Sequence, residues 1–86
     1  MKKIVEESEG EGLEGLLGER VILMCMNYFY TGILIGVNES CVKLKEPQII
    51  YETGEWTEKN WKDSQHLPCD PFYVQSGSIE SFGKVK

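Results

Sequence analysis

A chain of 86 residues, 41% hydrophobic and 10% aromatic, suits one small domain and is too rich in apolar groups to be disordered. Its longest apolar run, Val21 to Met26, falls far short of the roughly 20 residues that a membrane span needs. Net charge is −5, with −3 of it in residues 1–20 and no basic stripe to offset it, so general electrostatic capture of nucleic acid is disfavoured.

"MKKIVEESEG" begins with lysines but has no apolar run behind them, so residues 1–10 read as a flexible acidic tail and not as a signal peptide. Residues 11–86 then form the single domain. Leu13, Leu16 and Leu17 recur at the i, i+3, i+4 spacing of a short helix. Ser8 with Glu11 has the spacing of a capping box, Gly10, Gly12 and Gly15 weaken the helix, and Gly18 stops it. One or two helical turns over one end of a sheet are predicted.

The first strand, Val21 to Met26, is apolar on both alternating faces and should be buried on both. Asn27 and Tyr28 make a tight turn into "YTGILIGV", the second strand, and "NES" makes the next. The third strand, "CVKLKEPQIIYETGEW", places Val42 and Leu44 inward with Lys43 and Lys45 outward. Pro47 has no N–H for a ladder, which predicts a bulge, an edge or a change of partner there. "TEKNWKDSQHLPCD" is polar and aperiodic and belongs to a long polar loop at about 54–70. "PFYVQSG" and "SIESFGKV" are the fourth and fifth strands. The pattern predicts a mostly β fold: a small, five-stranded, strongly bent antiparallel barrel with a short N-terminal helix. Gly32 and Gly36 interrupt the apolar second strand because a long barrel strand must bend.

Chemistry-bearing residues are few. Cys25, Cys41 and Cys69 are odd in number and lack paired spacing, which fits free thiols in a reducing, cytoplasmic setting. His66 and Cys69 form an H-x-x-C step, but zinc needs four ligands at fixed spacing, so no metal is assigned. Glu52, Glu55, Glu58 and Asp63 are spread along a polar stretch, and nothing marks a nucleophile with its base. The chain reads as non-catalytic and without a cofactor. "WTEKNWK" sets Trp56 and Trp61 around Lys59, with Lys62 following. Aromatics interleaved with cations stack bases or grip a peptide, and Tyr30 is a further stacking position. The alternative is that both tryptophans cover the open end of a thin barrel.

"LEGLLGERVILM" followed by "YFYTGILIGVNESCVKL" resembles the Sm-like (LSm/Hfq-type) family, in which a helix precedes an SH3-like five-stranded barrel. Tyr30, Gly32, Leu34, Val37, Asn38 and Leu44 fall at positions similar to those of the first Sm motif. "FYVQSGSIESF" resembles a degenerate second motif anchored by Val74 and Ile79. The resemblance implies a closed homo-oligomeric ring joined through the fourth and fifth strands. It also implies single-stranded RNA as a partner, with Asn38, Gln75 and Ser76 at the RNA-binding positions. The chain departs from the family pattern at those positions. Asn38 stands where RNA-binding members have an acidic residue, and Val42 or a deletion replaces the base-reading Asn. Gln75-Ser76 stands where they have Arg-Gly, and the Tyr-Lys-His stretch of the Hfq branch is absent. Two readings follow: an RNA-binding or RNA-associated ring, or an oligomeric protein-interaction module of the same barrel without RNA.

Overall fold

The computed structural model describes residues 11–57 and 60–86. The acidic tail, the Ser8 cap, Glu58 and Lys59 lie outside the described residues.

Period-two alternation builds the core. Strand β1 (Arg20–Cys25) points Val21, Leu23 and Cys25 into one cluster. Strand β2 (Phe29–Val37) adds Leu34, and β3 (Cys41–Glu52) adds Val42 and Leu44. Three shorter strands complete the set: β4 (Asp63–His66), β5 (Phe72–Gln75), whose Val74 joins the cluster, and β6 (Ile79–Lys84). Val21, Leu23, Leu34, Val42 and Leu44 are fully buried. Each such aliphatic side chain contributes about 1.5–3 kcal/mol through removal from water. Leu13, Leu16, Tyr30, Val37, Phe72 and Ile79 pack around them. Ile22, on the opposite face of β1, is also buried, as its two-sided apolar pattern predicts.

All pairings are antiparallel, in the order β4-β3-β2-β1-β6, with β5 lying on β3 beside this path. Among the described residues the sheet is open, with no ladder closing it. The fully buried Thr31 keeps its hydroxyl satisfied by donating to the carbonyl oxygen of Val21 at 2.8 Å.

Pro47 marks a real change of partner. Cys41–Leu44 pair with β5, whereas residues 48–52 pair with β4. Between them Glu46 takes a positive φ of 53°, and the β2–β3 register slips between Thr31 and Ile33. A bulge and a switch of neighbour therefore coincide where the missing N–H would have broken a regular ladder.

Two expectations are corrected, and a third is met at its shorter limit. The N-terminal helix, expected at one or two turns, is a single 3-10 turn, Glu14–Leu16. The glycines around it make a longer helix too costly. Met26 is 81% exposed and lies past the end of β1, so that strand stops at Cys25. The strands number six and not five, because "DSQH" within the polar loop forms β4 against β3. An edge strand of polar residues carries no apolar alternation. It is held by its ladder and by the Ser64 hydroxyl, which donates to Gln48 Oε1 at 3.0 Å.

Candidate nucleic-acid interface

Two turns meet at one end of the molecule. In the β2–β3 turn, Asn38 Oδ1 accepts from the backbone N–H of Ser40 (2.8 Å), the Ser40 hydroxyl (3.1 Å) and the N–H of Cys41 (2.8 Å). Asn suits this place because its short carbonyl arm copies a backbone turn acceptor. The second turn is the 3-10 segment Ser76–Ser78 between β5 and β6, where the Ser78 hydroxyl donates to the carbonyl oxygen of Gln75 at 2.8 Å.

The ladder aligns Cys41 with Gln75, and the N–H of Ser76 donates to the carbonyl oxygen of Ser40 at 2.9 Å. Asn38, Gln75 and Ser76, distant in sequence, thus share one end of the fold. Its chemistry is that of amides and hydroxyls. Glu39 is its one charged side chain among residues 38–40 and 75–78. Of the outward lysines on β3, Lys43 is half-buried, with its Nζ 5.9 Å from the centroid of the Tyr73 ring.

The other candidates lie elsewhere. Trp56 (65% exposed) and the half-buried Trp61 line a groove of about 600 Å³ with Ile22 and Met24 of β1 and residues 84–86. Lys62 is exposed and pairs with Glu52 Oε1 at 3.4 Å. Tyr30 is half-buried and packs on Phe72 with ring centroids 5.4 Å apart, so its ring belongs to the rim of the core. Burial pushes its phenol up from the ordinary range, with smaller contributions from Cys25, Tyr28 and Tyr51. Burial likewise raises the Cys25 thiol, partly offset by the Ser78 side chain.

One aromatic pair is not legible from spacing. The register that sets Phe29 opposite Ile50 brings Tyr28 against Tyr51 edge-to-face, with centroids 5.9 Å apart and planes at 86°. The two border a cleft of about 380 Å³ with Asn27, Phe29 and Glu52. Only knowledge of the strand register would have joined residues so far apart in the chain.

Among the described residues no group of three or more His, Cys, Asp or Glu is placed to hold a metal ion. His66 lies in β4 opposite Gln48, and Cys69 is exposed in the segment that follows. Among the same residues no helix is long and apolar enough to cross a membrane.

No family model, curated protein or solved structure matches this chain.

Proposed function

We propose that this chain is a non-catalytic, ring-forming protein built on an Sm-like, SH3-type barrel, and that it presents the Asn38–Gln75–Ser76 end to single-stranded RNA. The hydrogen bond from Ser76 N–H to the Ser40 carbonyl carries this reading, because it ties together the two turns that the Sm resemblance marks for RNA.

The barrel is supported by strand order and bending. Strands β6-β1-β2-β3-β5 run in the sequence of such a barrel, β3 changes partner at its bulge, and a 3-10 turn links the last two strands. Ring assembly is supported by the edges. Strand β5 pairs with β3 alone and β6 with β1 alone among the described residues, so each offers a free backbone edge to a neighbour. A ring repeats the same turns around its axis and multiplies contacts that are weak in one copy. All three cysteines are free, which supports a reducing, cytoplasmic compartment.

The protein-interaction reading has its own support. Asn38 Oδ1 is already committed to three donors in its turn, and Glu39 beside it repels phosphate.

Titration with uridine-rich and adenine-rich RNA at several salt concentrations tests the two. Saturable binding weakened by Gln75→Glu and Ser76→Glu is the expected result. Absence of saturable binding to either RNA, or binding indifferent to both substitutions, gives the interaction module first place.

A further inference from the structure

We infer that the Trp56–Trp61 groove is a second, separate site that stacks the bases of single-stranded nucleic acid. Both tryptophans of the chain line this one groove. Ile22 and Met24 give it an apolar floor, and Lys84 and Lys86 stand along it. Among the described residues its lining includes no Asp or Glu side chain, although the chain as a whole carries −5. Two clefts elsewhere are lined in part by Glu52, or by Glu52 and Glu55.

Charge complementarity selects the occupant. Two lysines beside a groove of an acidic protein favour an anion, and two indoles favour a ligand with flat π faces. A base with its phosphate offers both features, while an acidic peptide offers only the charge. Lys84 Nζ is paired with Glu19 Oε2 at 2.9 Å, but both side chains are about half exposed, and a phosphate competes readily with such a pair.

This inference does not rest on the Asn38 end. That end lies in the β2–β3 and β5–β6 turns, whereas this groove involves β1, the stretch after β3 and the stretch after β6. The two fail separately, because Gln75→Glu touches only the first and Trp56→Ala only the second.

Tryptophan emission from the intact chain reports on this groove alone, since no other tryptophan exists. An oligouridylate of about ten nucleotides should quench it saturably. Trp56→Ala, at an exposed position, should weaken binding read through Trp61 by about 5- to 150-fold, the range measured for one stacked base. Trp56→Phe should restore most of the loss. Replacing Lys84 and Lys86 by Gln should make the affinity less dependent on salt, because fewer phosphates are neutralised. Three results would overturn the inference. These are no quenching by oligouridylate or oligoadenylate, quenching whose midpoint Trp56→Ala leaves unchanged, and quenching by polyglutamate at equal or lower concentration. The last would assign the groove to acidic peptides.

Discussion

Gly32 on β2 and Leu44 on β3 approach so closely that a Cβ on Gly32 would lie 3.1 Å from the Cβ of Leu44. The same Cβ would lie 3.1 Å from the carbonyl oxygen of Lys45, which is main chain and cannot rotate aside. Proximity therefore favours glycine here, at the point where the two long strands slip register. Gly32→Val should destabilise the fold by about 1–3 kcal/mol, the usual cost of overpacking. Gly77, with nothing within 4 Å of its would-be Cβ, is the control. Gly77→Ala should stay within about 0.5 kcal/mol of the parent. Urea titrations of both variants check this, and equal midpoints for Gly32→Val and the parent would remove the argument.

Glu46 gives a prediction of opposite sign. Its φ of 53° is left-handed, which costs an L-residue about 1–2 kcal/mol. Glycine removes that strain but brings an entropic cost of about 0.5–1 kcal/mol. Strain relief is the larger of the two, so Glu46→Gly should stabilise by up to about 1.5 kcal/mol. A β-branched Glu46→Val should destabilise. Thermal melts of the pair decide it, and a lower midpoint for Glu46→Gly would show that the acidic side chain contributes more than its backbone costs.

Alkaline pH should weaken the fold through Cys25 and Tyr30. Burial raises both groups, so in the folded chain they hold their protons to higher pH than in the unfolded chain. Stability is then fully present below the unfolded-state values. It falls as pH rises past about 8.5 for the thiol and about 10 for the phenol, and continues to fall through the raised folded values. Cys25→Val removes the lower of these two phases and leaves the upper one. Urea midpoints measured across this range should show a flatter first decline in the variant, and identical profiles would exclude Cys25 as the cause.

Much of the sheet is legible in the sequence because burial follows a period of two. The inward set Val21, Leu23, Val42, Leu44 and the outward Lys43 and Lys45 need no more than alternation. Pro47 is legible for a different reason, since a missing N–H constrains any ladder. Strand β4 was not legible, because an exposed edge strand is selected by its partner's free backbone and not by its own side chains. Replacing Thr57–Gln65 with a short turn, harmless if the stretch were all loop, should therefore lower stability by uncovering the β3 edge beside the buried Ile50. At the candidate site the residue types were legible. Their meeting depends on the Cys41–Gln75 register, and the commitment of Asn38 Oδ1 to its turn arises only on folding.

The last prediction concerns assembly. Strands β5 and β6 leave the 3-10 turn Ser76–Ser78 with one neighbour each among the described residues, and each displays an exposed aromatic, Tyr73 (56%) and Phe82 (42%). Unpaired edges beside exposed aromatics favour pairing with another chain, and identical chains joined β5 to β6 make a head-to-tail contact. Such a contact closes into a ring when its rotation divides the circle. The core of so short a chain is thin, so pairing also adds stability that one copy lacks. Gel filtration with light scattering at micromolar protein should return a whole-number multiple of 9.8 kDa. Tyr73→Lys with Phe82→Lys places a charge on each edge, and the mass should drop to that of one chain while far-ultraviolet circular dichroism is unchanged. A parent mass of 9.8 kDa that does not rise with concentration would leave the two edges unpaired in solution and would end the ring proposal.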